Sequence, residues 1–365
     1  MARLGDLGKV ITGNTPKTSE SKNYESNDIC FVKPSDIADG EITHLKTSEF
    51  NISEFAREKS RILPPESILV TCIGIIGKVA INKVECAFNQ QINAIIPNRH
   101  KCITNYLAYA IQAKQQIMQD MANAPIIPIL NKTQFSAIEI NVPSIAQQQH
   151  IAAILDNVSN LIALRKQQLD KLDELVKARF MEMFGDPVAN PFHWVVKRFD
   201  ELCENLDSRR IPITASERKS GIYPYYGASG VVDYVDNYIF DEDILLISED
   251  GANLVARVTP IAFSVSGKVW VNNHAHVVRF ENRYTQTYIE QCFAQIDISD
   301  CITGTAQPKL NQAKLNAMQI PVPPESIQNS FFKFTKQADK CKLTIRQGLD
   351  KLEMMKKTLM QQYFG

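Results

Sequence analysis

The strongest constraint on this chain is that it repeats itself. Residues 131–185 align with residues 311–365 without a gap, at a constant offset of 180. Asn131 matches Asn311, Ile140-Asn-Val-Pro143 matches Ile320-Pro-Val-Pro323, and Leu169-Asp-Lys-Leu172 matches Leu349-Asp-Lys-Leu352. Lys177 matches Lys357, and Phe184-Gly185 matches Phe364-Gly365. A repeat of this length makes each copy one structural unit. Each copy opens on a short strand-like alternation, Ile138, Ile140 and Val142 in the first. Proline then stops it, at Pro143 or at Pro321, Pro323 and Pro324. A long apolar stripe at spacings of three and four follows, from Ile151 to Phe180 and from Phe331 to Leu359. That period predicts an amphipathic helix. At ~1.5 Å per residue, roughly 38 residues span about 57 Å, long for one globule and suited to a pair of helices covering each other's stripes. Gly185-Asp-Pro187 ends the first of them.

The intervening segments read as mixed globules. Ile68–Ile73, Asp243–Ser248 and Val269–Val271 are β-rich, and residues 103–121 and 284–296 are helical in pattern. Weaker matches extend the repeat into them. Arg3-Leu-Gly-Asp-Leu7 resembles Arg198-Phe-Asp-Glu-Leu202, Gly77-Lys-Val79 resembles Gly267-Lys-Val269, and Asn89–Ile95 resembles Asn272–Val278. The globules have diverged while the helices stayed alike, which suits one shared docking device carrying two readers. A helix seam needs about two apolar positions per heptad. Ile151, Ile154, Leu155, Val158 and Leu161 on the first helix, and Phe331 and Phe334 on the second, exceed that, and are expected to form a partner-binding face.

Catalytic signatures are missing. Gly74-Ile-Ile-Gly77-Lys78-Val79 lacks both the spacing and the Ser or Thr of a phosphate loop. Asn190-Pro-Phe192 lacks a second proline and has no Gly-rich cofactor loop to accompany it. His274 and His276 share a strand face, with no carboxylate or cysteine at ligand spacing, and the eight cysteines form no C-x-x-C pair. No cofactor, metal or catalytic residue is therefore assigned to the chain. Lys plus Arg total 40 and Asp plus Glu total 40, so no global basic charge marks a nucleic-acid binder. The N-terminus lacks the apolar core of a signal peptide, and no run approaches the ~20 apolar residues of a membrane span. A soluble, cytoplasmic chain without membrane contact is expected.

The polar clusters suit recognition instead. The first globule carries Arg57, Lys59, Arg61, Lys78, Asn89, Gln90, Gln91 and Lys132. The second carries Arg209, Arg210, Tyr225, Tyr226, Ser229, Lys268, Asn272, Asn273, His274 and Lys309. Arg grips guanine edges, Asn and Gln grip adenine edges, and basic residues neutralise phosphates.

With Pro143-Ser-Ile-Ala-Gln-Gln-Gln-His-Ile-Ala-Ala-Ile-Leu-Asp156 opening the first helix, the chain resembles the specificity (S) subunits of type I restriction-modification systems. Ile222-Tyr-Pro-Tyr-Tyr-Gly-Ala-Ser-Gly230, Glu249-Asp-Gly251, Asn272-Asn-His274 and Asn89-Gln90 resemble that family's target-recognition domains. The likeness runs over nearly the whole chain, and departs from the pattern at Ser326–Phe331 and at Gly348. It implies an α+β fold: two globular mixed α/β target-recognition domains separated by two long helices packed as an antiparallel coiled coil. The domains would be 1–142 and 187–323, and the conserved spacer helices 143–186 and 324–365. Each globule would read half of a bipartite double-stranded DNA target. The helices would dock two methyltransferase (M) subunits, which carry S-adenosylmethionine and flip the target adenine; motor-nuclease (R) subunits are further partners in such complexes. The rival readings are a stand-alone DNA methyltransferase or nuclease, and a coiled-coil scaffold that binds only protein.

Overall fold

Both apolar stripes fold as 40-residue helices, α1 (Ile145–Phe184) and α2 (Glu325–Phe364). The residues before them explain the starts. Ser144 and Gln147 form a reciprocal cap: the Gln147 backbone N–H donates to Ser144 Oγ at 3.3 Å, and the Ser144 N–H to Gln147 Oε1 at 3.2 Å. Buried Gln148 and Gln328 each donate through Nε2 to a proline carbonyl, Pro143 O at 2.9 Å and Pro323 O at 2.7 Å. α1 stops at Gly185, whose φ of +73° is left-handed and where a side chain would strike Pro191. Gly348 sits inside α2 without interrupting it.

The structure, a computed structural model, describes residues 1–122, 128–304 and 307–365. The chain divides into two units, Met1–Lys166 with Gln347–Gly365, and Gln167–Arg346. Each unit therefore takes a globule, the start of the long helix that follows it, and the end of the other long helix.

In the first unit, the strand order Gly8–Thr12, Ile92–Pro97, Ile68–Thr71, Val79–Asn82, Ile42–Leu45 forms a five-stranded sheet, antiparallel except for its last pair. A second sheet orders Phe50–Ile52, Ile29–Val32, Cys86–Phe88, Ile62–Leu63, with Ile29–Val32 parallel to Cys86–Phe88. The core joins Tyr106, Leu107 and Ile111 of the helix Thr104–Gln112 to Leu155 of α1 and Phe364 of α2. The Tyr106 hydroxyl donates to Asn141 O at 2.8 Å, and its ring lies 5.3 Å from Phe364. Leu155 shares this core with Phe364 and Lys166 faces Glu353 at 4.0 Å, so the two helices run antiparallel here.

The second unit repeats the plan. Glu204–Asn205, Ala275–Arg279, Ile244–Ser248, Ala262–Val265 form an antiparallel sheet. Gly230–Val235, Ser220–Gly227, Lys268–Val271, Phe240–Asp241 form another, with Ser220–Gly227 parallel to Lys268–Val271. Tyr288, on the helix Arg283–Gln295, donates to Pro321 O at 2.6 Å and packs 4.8 Å from Phe184. Val176, Phe180 and Phe331 complete this core, and Lys342 pairs with Asp173, so the helices are antiparallel here too.

One local expectation is corrected. The helix expected over 103–121 breaks at Ala113-Lys114 into Thr104–Gln112 and Gln115–Met121. Gly74 and Gly77, with φ of +76° and +87°, serve an antiparallel hairpin between Ile68–Thr71 and Val79–Asn82. Among the described residues, no helix is long and apolar enough to cross a membrane.

Candidate nucleic-acid interface

Each unit gathers three loops in the same backbone scaffold. In the first, Cys72 N donates to Gln91 O at 2.8 Å, Leu130 N to Cys72 O at 3.0 Å, and Gln91 N to Asn89 Oδ1 at 3.1 Å. In the second, Glu249 N donates to His274 O at 2.9 Å, Leu310 N to Glu249 O at 2.8 Å, and His274 N to Asn272 Oδ1 at 2.8 Å. Asn93 Nδ2 reaches Leu130 O at 2.9 Å where His276 Nε2 reaches Leu310 O at 2.8 Å. Each Asn turn aims the residues after it outward: Gln90 in one unit, Asn273 and His274 in the other are exposed.

In the first unit the loops near 14, 60 and 90 meet. Asn14 donates to Lys59 O at 2.8 Å and accepts from Arg61 N at 2.9 Å, while Thr15 donates to Gln90 Oε1 at 2.6 Å. Several expected readers are engaged within the chain. Arg57 is held by Glu54 and Glu85, and Lys59 pairs with Glu20 at 2.8 Å over the Phe55 ring. Arg61 donates to Thr12 O, and Lys78 to Ile37 O at 2.9 Å. Asn89 is buried and its Nδ2 donates to Gln91 Oε1 at 3.0 Å, so both side chains shape the turn. Lys132 is exposed in the first turn of the Asn131-capped helix Lys132–Ala137.

In the second unit, Arg210, Tyr225 and Asn272 are corrected from readers to framework. Tyr225 is 1% exposed, and Asn272 is buried beneath His274. Arg210 lies inward, donating to Glu249 at 2.7 Å and to Ala275 O at 2.7 Å. Arg209 pairs with Glu242 at 2.7 Å over the Phe240 ring. Tyr226 is half-buried, 6.0 Å from Phe263. Ser229, Lys268, Asn273, His274 and Lys309 remain exposed. Lys268 lies over Tyr238, His274 Nδ1 faces both Asp250 oxygens at 2.9 Å, and Lys309 faces Glu249 at 3.1 Å.

The two histidines diverge: His274 precedes the strand Ala275–Arg279, and only His276 is buried in it. His276 Nδ1 lies 2.6 Å from Asp207, and Asp207, Glu249 and His276 bring three possible ligand atoms within 4.8 Å of one another. These carboxylates are distant in sequence, which is why spacing alone missed them. The cluster already holds the Arg210 guanidinium and the Lys309 ammonium, so it is built as an ion-paired clamp on the loops. Burial pushes the Asp207 carboxyl up, but His276, the Val277 backbone N–H and Arg210 together outweigh it and leave it below the usual carboxylate range. Burial likewise pushes Glu249 up, and Arg210, His276 and Lys309 together bring it below the usual range.

The expected docking face is also corrected. Leu155, Val158 and Phe331 are buried, Leu155 and Phe331 in their units' own cores, where no partner reaches them. Ile151 packs against the first core and Phe334 against the second, and Ile154 is half-buried. Leu161 is exposed, as is Leu164, another of the apolar residues in excess of one seam, and sequence reasoning missed Met354, which stands exposed in the same unit. Its position beside Met355 of the stripe was the available signal.

The family of the type I restriction modification DNA specificity domain matches residues 1–174 and again 191–354. The chain belongs to that family. Similarity to the type I restriction enzyme MjaIX specificity subunit of Methanocaldococcus jannaschii is 26% identity over 368 residues, covering 90% of this chain and 84% of that one. A putative type I restriction enzyme specificity subunit of Haemophilus influenzae, S.HindORF215P, is 34% identical over 137 residues, covering 38% of this chain and 35% of that one. The fold is shared with a type I restriction-modification S subunit from M. genitalium, with a TM-score of 0.61 at 13% identity, covering 100% of this chain and 95% of that one.

Proposed function

We propose that this chain reads a bipartite DNA target for a type I restriction-modification complex, each unit reading one half-site. The observation that carries this reading is the loop scaffold built twice from the same backbone hydrogen bonds, with Gln90 exposed in one copy and Asn273 and His274 in the other. One frame with different side chains suits two base sequences read by the same geometry. Two methyltransferase subunits would dock on α1 and α2, where Leu161, Leu164 and Met354 stand exposed. They would bring S-adenosylmethionine and the adenine-flipping chemistry, with motor-nuclease subunits as further members of the assembly. In this reading the chain performs no chemistry, and works in the cytoplasm.

The test is to map methylated adenines in cells with and without the chain, then with residues 1–142 exchanged for another reader. The exchange is expected to change one half of the methylated sequence and retain the other. Both halves changing together refutes the modular reading. Methyl transfer or cleavage by the isolated chain would favour an enzyme, and partner binding without DNA binding would favour a scaffold.

A further inference from the structure

One apolar face of the second unit is left uncovered by that unit. Ser220–Gly227 and Gly230–Val235 form a two-stranded ribbon, with Pro224 opposite Tyr234 and Tyr226 opposite Val231. Directly opposed residues share a face, so these four side chains stand together. The other face is covered: Tyr225 is buried, its hydroxyl donates to Ile213 O at 3.3 Å, and Arg218 lies over its ring at 4.3 Å. On the open face only the inner end is covered, where Tyr226 meets Phe263. Tyr234 is 54% exposed, and Ile222, in the register irregularity at the outer end, is 78% exposed.

We propose that this ribbon enters the DNA major groove and that its apolar face receives thymine C5-methyl groups. The proposal rests on the DNA-reading function above. The ribbon is continuous with the candidate interface: Ala228 O accepts from Ser248 Oγ at 2.5 Å, and Tyr226 O accepts from Asn272 N at 3.0 Å. Its tip thus presents Ser229 beside the loop that carries Asn273 and His274. A major groove ~12 Å wide admits a two-stranded ribbon, and thymine alone among the unmodified bases offers a methyl group there. Lys219, just before the ribbon, and Lys268, on the strand beside it, are exposed for phosphate contact.

The test uses the chain with its methyltransferase partners and a duplex carrying the mapped target. Each thymine in the half-site assigned to the second unit is replaced in turn by deoxyuridine, which removes only the methyl group. At one or more positions binding weakens about fourfold, the equivalent of ~0.8 kcal/mol for one buried methyl. In a variant carrying Ile222→Ser and Tyr234→Ser, the difference between thymine and uracil disappears while circular dichroism stays unchanged. The proposal falls if thymine and uracil duplexes bind alike at every position, if that half-site holds no A·T pair, or if the variant still discriminates. It falls equally if the variant sheds the methyltransferase while still telling thymine from uracil, which makes the face a protein contact. Failure of the DNA-reading function looks different: no sequence preference on any duplex and no change in adenine methylation when the chain is removed.

Discussion

Leu155 and Leu164 belong to the same helix, yet the structure assigns them opposite roles. Leu155 is 0% exposed, in the cluster that includes Tyr106, Ile111 and Phe364, whereas Leu164 is 54% exposed. Leu155→Ala removes buried methyl groups and leaves a cavity that rigid neighbours fill only in part. Such a change costs ~3 kcal/mol, with a range of about 2–5. In a unit of this size each kcal/mol lowers the melting temperature by roughly 2–4 °C, so Leu155→Ala is expected to melt about 6–12 °C lower. Leu164→Ser, in contrast, alters little that is packed, and its melting temperature is expected to move by less than about 2 °C. Under the docking reading, Leu164→Ser weakens co-purification with the methyltransferase, and more strongly when combined with Leu161→Ser. The assay is thermal circular dichroism beside tagged pull-down of the methyltransferase. The reasoning is refuted if Leu155→Ala melts normally but sheds its partner, or if the Leu161 and Leu164 substitutions unfold the unit.

The two repeat-related glutamines give a second contrast. Gln148 makes three hydrogen bonds, to Ile103 N, Lys101 O and Pro143 O, whereas Gln328 donates to Pro323 O and buries an unpartnered Oε1. At ~1 kcal/mol per orphaned group, Gln148→Leu is expected to cost about 3 kcal/mol and Gln328→Leu less than about 1, measured by urea unfolding. A third prediction concerns acid: Asp207 and Glu249 have depressed folded values, so their stabilisation is full above the ordinary carboxylate range and drains away as pH falls through those values. The second unit should therefore loosen below about pH 4, with a smaller pH dependence in Asp207→Asn, followed by tryptophan fluorescence. Arg210→Met leaves Glu249 without its guanidinium and is expected to cost roughly 3 kcal/mol at neutral pH by the same unfolding assay.

The match of Arg3–Leu7 to Arg198–Leu202 is real, because Leu4 N and Phe199 N bond to Ile138 O and Met318 O, themselves repeat partners. So is the faint match of Asn89–Ile95 to Asn272–Val278, which share the Asn turn. The match of Gly77 to Gly267 is false: Gly77 precedes Val79–Asn82, which pairs with Ile68–Thr71, whereas Gly267 follows Ala262–Val265, the strand that pairs with Ile244–Ser248. Short glycine motifs recur wherever chains turn, so they carry little register information.

Local rules were enough to determine the two long helices and their proline and glycine stops, because each depends on residues within a few positions of one another. Burial depends on what arrives from far along the chain. Leu155 looks like one more stripe residue until Tyr106 and Phe364 close over it. Tyr225 and Arg210 carry reader chemistry, but the ring packs beneath Arg218 and the guanidinium turns in to Glu249. His276 finds Asp207 and Glu249 only when three segments meet. A side chain's type says what it can bind, and only the tertiary structure decides whether its partner is solvent, a ligand or the protein itself.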